Sequence, residues 1–338
     1  MAQKKRNGII DVFRLIAVLV AMDNHLGMAG ASTFFVSPFI MVDFFFYLTG
    51  YLTYRHFDLE RDKYVNASAE DKSKEALFYS LNKFKGFMPL VFIVVVAQYI
   101  MTYMVFRGDL SGFREKLSIF NEMPNEILLL KSSYGSTLVG PLWYLSSMFI
   151  VLPILCLFIK FLDRYAFLII GGMTSLLYLG KCGIDDYFYY PNCLPRAFWG
   201  MVIGASIYLI GDIWMNKLYE KVNIVLLAGI EILLMVLSVV LCRDGWDYIN
   251  YIHLWSIVLI ISIGMSPRLS GIGLSLTTFL GKMSLPIFLM HWFIVTGIGY
   301  YFPAWSENIK KIVFYAASLG LGVLYVLISN ILSKRKAS

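Results

Sequence analysis

The residues best suited to chemistry open the chain. GIIDVFRLIAVLVAMDNHLG sets Asp11 and Arg14 near one end of an apolar stretch and Asp23, Asn24 and His25 at the other. Arg14 and His25 are eleven residues apart. At 100° per residue a helix brings them within about 20° of one face, roughly 16 Å apart along the axis. Asp11 precedes Arg14 by three residues, the spacing of a helical ion pair. Charge in hydrocarbon is expensive, so this stripe faces a bundle interior or a wet cavity. A neutral imidazole at His25 accepts a proton near pH 7 and is the general-base candidate. Asp43 and Asp23 are the carboxylates expected near its depth. Arg14 is always charged, and its work is to grip a phosphate or carboxylate, or to anchor the helix through Asp11.

Those positions need a frame, and composition says which. The 338 residues are 59% hydrophobic and 15% charged, against about 25% charge in an ordinary soluble domain, and mean hydropathy is +0.69. Apolar runs of membrane length recur at 9–26, 36–55, 86–106, 139–159, 165–180, 195–211, 222–241, 250–266, 281–300 and 311–332. The expected fold is an all-α polytopic membrane helix bundle of about ten transmembrane helices, forming one domain over 1–338. A polar loop at 56–85 and a basic tail at 333–338 flank the spans. With both termini cytoplasmic, the inner segments hold 19 Lys and Arg and the outer ones nine, the bias expected of an inside face. The net charge of +7 is read as loops against anionic headgroups, not nucleic acid.

Further ionisable or aromatic groups recur along the spans. Lys83 and Lys85 introduce the third span and suit an anionic donor, although the inside-positive bias also accounts for them. Trp143 and Tyr144 start the fourth span at the expected depth of His25, as a sugar platform or an interfacial belt. Arg196 opens the sixth span. Glu231 and His291 lie in mid-span, where an ionisable group calls for a reason, and His253 lies near the start of the eighth. There are four cysteines. Cys182 and Cys193 share an expected outer loop, where a disulfide is permitted. No HExxH, cysteine cluster, P-loop or dinucleotide fingerprint is present, so neither a metal nor a tightly bound cofactor is expected.

The order of four segments resembles the membrane acyltransferase-3 family. GIIDVFRLIAVLVAMDNH carries the family's arginine–ten residues–histidine motif. VDFFFYLTGYL at 42–52, PLWYLSSMF at 141–149 and GKMSLPIFLMHWFI at 281–294 follow in family order. The resemblance implies acyl transfer, most often of acetyl from cytoplasmic acetyl-CoA to a hydroxyl of a cell-envelope or exported carbohydrate or glycolipid, with Arg14 and His25 as essential residues. It implies a multi-pass protein of a bacterial plasma membrane. Where the family often carries arginines ahead of the third span, this chain reads KFKGFMP. A transporter of small polar solutes and a polymer-export scaffold remain open as rival readings, and the oligomeric state is open.

Overall fold

The structure is a computed structural model describing residues 7–64, 66–106, 117–130, 137–177, 193–243, 247–269, 271 and 273–337. It is all-α among those residues. The helices are α1 (Gly8–Asp23), α2 (Met41–Leu59), α3 (Ala69–Lys85), α4 (Met88–Phe106) and the short α5 (Met123–Ile127). Then come α6 (Leu142–Phe161), α7 (Arg164–Leu177), α8 (Cys193–Tyr219), α9 (Ile224–Leu241), α10 (Asp247–Gly264), α11 (Ser275–Tyr301) and α12 (Glu307–Ala337).

Six of these helices are long and apolar enough to cross a membrane, not the ten expected: α4, α6, α8, α9, α11 and α12. The physical reasons differ for the other four. Helix α1 has 16 residues and rises ~24 Å, short of a ~30 Å hydrocarbon core. Helix α2 is long enough but carries Asp43, Arg55 and Asp58. The apolar parts of α7 and α10 cover only Arg164–Leu177 and Ile249–Gly264. The polar stretch 56–85 contains the end of α2 and the amphipathic helix α3, capped by the Ser68 hydroxyl, which accepts from the Asp71 amide.

The first helix lies at the centre. Its N-terminus is capped by the Asn7 side chain, which accepts from the Ile9 amide at 2.8 Å and donates to the Gly264 carbonyl. Asp11 in the first turn suits the positive end of the helix dipole. Helix α1 packs mainly on α11 and α2, while α2 lies along α8 and α11 along α12. The contact between α2 and α8 is backbone against backbone. A Cβ at Gly50 would overlap the Met201 carbonyl, and one at Gly204 would overlap that of Tyr47. In the most apolar windows of α6, α8 and α11, 61% of residues are buried, against 22% in α9 and α12. That places α9 and α12 on the lipid-facing side.

Candidate functional site

Five helices, α1, α2, α3, α6 and α11, surround a cavity of about 160 Å³. Arg14 and Lys83 line it, together with Tyr144, Ser284, Phe288 and a wall of Val18, Phe45 and Leu48. Two cations in an apolar chamber make a setting for an anion or a polarised carbonyl, because water competes poorly there. Arg14 is held by Asp11, Nη1 to Oδ1 3.4 Å. Lys83 sits in the last turn of α3, where burial pushes its ammonium down to about 8. Lys85 is exposed and lies outside this lining.

His25 is elsewhere. Helix α1 ends at Asp23, and His25 belongs to the tight turn that follows, with φ −97° and ψ −3°. The uninterrupted helix that put Arg14 and His25 on one face is therefore corrected. The break has a cause in Asp23, whose buried carboxylate accepts the amides of Phe34 (2.7 Å) and Phe35 (3.0 Å) and the Tyr315 hydroxyl (2.8 Å). Asp23 ties the turn after α1 to α12.

The half-buried His25 ring instead meets α11. It stacks on His291, centroids 5.3 Å apart with planes inclined by 23°, and meets Trp292 edge-on at 4.8 Å. The Trp292 indole donates to the Leu138 carbonyl at 2.5 Å. Gly140 makes room for that ring, since a Cβ there would overlap it. His291 is fully buried. Its Nδ1 lies 3.3 Å from the Ile287 carbonyl, to which it donates. The lone pair is then on Nε2, which is buried and unpartnered among the described residues.

Helix α11 joins the two regions. Ser284, Leu285 and Phe288 line the cavity, and the Phe288 ring lies 6.1 Å from that of His291. One turn of helix separates the cavity wall from the histidine pair.

The remaining expected residues divide between this region and the scaffold. Asp43 binds Arg196 through two charge-assisted bonds, 2.6 and 3.2 Å. Arg196 also donates to the Phe39 carbonyl and lies 5.3 Å from the Trp143 ring. This buried pair fastens α2 to α8. Tyr144 lines the cavity and packs on Phe288. His253 bonds Ser238 at 2.7 Å between α9 and α10. Glu231 is buried beside Asn7 and Gly264. Cys182 lies outside the described residues, and the expected pairing with Cys193 lies there too.

Three features escaped the sequence reading. Trp292 was visible only as part of a segment. Glu126 is buried and accepts the Leu138 and Val139 amides, which fixes the turn segment that receives Trp292. Lys160 is buried against Glu75 at 2.7 Å. Each partner is far away in sequence, so spacing carries no signal. Among the described residues no three His, Cys, Asp or Glu side chains gather as metal ligands.

Comparison with known proteins bears on the whole chain. The acyltransferase-3 family model, an acyltransferase domain, matches residues 7–331. No curated protein and no solved structure matches. The match takes in Arg14, His25, the cavity and the histidine pair together, and the chain belongs to the acyltransferase-3 family of polytopic membrane acyltransferases.

Proposed function

We propose that the protein is an O-acyltransferase moving an acyl group, acetyl in the first instance, from cytoplasmic acetyl-CoA to a hydroxyl of a cell-envelope or exported carbohydrate or glycolipid. In this reading both termini face the cytoplasm of a bacterial plasma membrane, and the turn holding His25 faces outward. The carrying observation is the cavity bearing Arg14 and Lys83, which ends one helical turn from His25 and His291.

The donor thioester enters beside Lys83, with Arg14 holding an anionic or carbonyl group of it. The acceptor arrives from the opposite side. His25 removes the hydroxyl proton as that oxygen attacks the thioester carbonyl, forming the ester C–O bond. The C–S bond breaks, and the departing thiolate takes up the proton released by the His25 imidazolium, which returns His25 to its neutral form. Trp292 and His291 fix the imidazole, so little reorganisation is needed in the reaction. Asp43 and Arg196 serve the acceptor side indirectly, by setting the position of Trp143.

The test uses membranes containing the protein, incubated with acetyl-labelled coenzyme A and total envelope glycans. Label transferred to glycan and lost in His25→Ala supports the reading. Transfer that persists undiminished in that variant overturns the role of His25. Uptake of a small solute with no transfer identifies a transporter.

A further inference from the structure

A second cavity, of about 290 Å³, opens where the end of α2 meets α3 and the junction of α6 and α7. Arg61, Lys72 and Lys160 line it, with the aromatic rings of Tyr54, Phe57 and Tyr64. Two carboxylates also line it, and both are engaged. Asp58 binds Arg164 through both oxygens at 2.6 Å and accepts from the Tyr208 hydroxyl at 2.9 Å. Asp163 accepts the Tyr165 and Ala166 amides. Lys160 is likewise engaged, paired with Glu75 at 2.7 Å under the Tyr64 ring at 3.5 Å. Arg61 is half-exposed, with its nearest carboxylate, Asp58, at 4.0 Å. The Lys72 ammonium lies 5.9 Å from the Phe161 ring.

The position matters as much as the charge. This cavity and the one bearing Arg14 share three helices. Leu52 in one and Phe57 in the other lie five residues apart on α2; Lys83 and Lys72 are eleven apart on α3, and Met148 and Ile159 eleven apart on α6. At 1.5 Å per residue the two sites are offset by ~8–16 Å along the helices. An extended pantetheine arm bridges a gap of this order.

We infer that the cavity between Arg61 and Lys72 receives the nucleotide end of the coenzyme A thioester. Arg61 and Lys72 take its phosphates, and the exposed Phe161 ring, 5.9 Å from the Lys72 ammonium, offers apolar surface to the base. The inference rests on the coenzyme A reading of the donor and adds a second site to it. Guanidinium and ammonium groups bind phosphate through charge-assisted bonds, and aromatic rings accept any base face. Lipid phosphates share part of this chemistry, so the test removes anionic lipid.

The full-length protein is placed in phosphatidylcholine nanodiscs, and the probe is labelled adenosine 3′,5′-bisphosphate. Binding is expected, with Kd raised about 100-fold in the double variant Arg61→Gln, Lys72→Gln, or roughly tenfold per lost contact. The same variant raises KM for acetyl-CoA on a similar scale, with kcat falling less than about threefold, on the same charge-contact argument. The charge-keeping variant Arg61→Lys, Lys72→Arg retains binding and serves as the folding control. Unchanged Kd in the Gln variant overturns the inference. So does displacement of the probe by inorganic phosphate as readily as by unlabelled bisphosphate, which marks a plain anion or headgroup site. A wild type that transfers acetyl from acetyl-CoA yet binds no bisphosphate overturns the second site alone. One that neither binds coenzyme A nor uses it overturns the donor reading and the site with it.

Discussion

The imidazoles of His25 and His291 lie face to face, 5.3 Å between centroids and 23° between planes. The stack fixes the plane of the His25 ring against α11. His291 is oriented by its bond to the Ile287 carbonyl, which in the proposed mechanism leaves His25 as the member that exchanges protons with substrate. His25→Ala is expected to lower kcat for acyl transfer by about 10²- to 10⁴-fold, the range of a general base. His291→Phe keeps a ring in the stack and loses the nitrogens. It is expected to lower kcat less, by about tenfold, with the pH–rate profile displaced. A profile identical to wild type, with kcat intact, would assign His291 to packing alone.

Donor affinity should depend on pH through Lys83. Burial lowers its ammonium to about 8, well below the ordinary range of a lysine. If the charged form attracts the donor, as proposed, affinity is present below pH 8 and falls as pH rises through that value. KM for acetyl-CoA should therefore climb between about pH 7 and about pH 9, within about a unit of the lowered value. Lys83→Arg stays charged throughout and should flatten the climb. Steady-state kinetics across that range checks both.

Arg14 is predicted to be intolerant of its usual substitute. A planar fork in an apolar cavity, steadied by Asp11, presents several donors that a lysine cannot reproduce. Arg14→Lys should raise KM for the donor about tenfold and Arg14→Gln about 100-fold, on the scale of one or two charge-assisted bonds. Isothermal titration with coenzyme A separates this from an effect on the chemical step.

The Asp43–Arg196 pair should register in stability. Removing one partner of a buried pair typically costs about 3–5 kcal/mol, because the other charge is left uncompensated. Asp43→Asn and Arg196→Gln should each lower the thermal midpoint in detergent by several degrees, and the double variant should be less unstable than the sum of the two. Additive losses would show that the two side chains act independently.

Gly140→Ala should disturb the site from outside it. The added methyl meets the Trp292 ring, which then must leave the Leu138 carbonyl or push on His25. Overpacking of this kind costs about 1–3 kcal/mol. A fall in kcat with unchanged donor KM is the expected signature.

Legibility from sequence followed the range of the interactions. The Asp11–Arg14 pair is three residues apart and visible in periodicity. The end of α1 is not, because Asp23 finds its partners at Phe34, Phe35 and Tyr315, and only the folded chain brings those donors together. Extending the helix to His25 placed that residue on the face of Arg14, whereas the structure gives it to α11. The expectation that Asp43 lies by His25 rested on depth alone, and its ion-pair partner Arg196 is 153 positions away. Apolar runs near 20 residues were counted as spans without regard to helix ends. Turns and charges cut α1 and α2 below the length or apolarity of a full crossing, and among the described residues the apolar parts of α7 and α10 are shorter than one.

Phe288 lines the chamber that holds Arg14 and Lys83, and its ring lies 6.1 Å from that of His291. An acyltransferase embedded in a membrane must hand across an acyl group while keeping ions from following it. At that partition the thickness of insulation is about one aromatic side chain. Substrate handling and electrical tightness thus fall on the same residue, and neither can be altered there without disturbing the other.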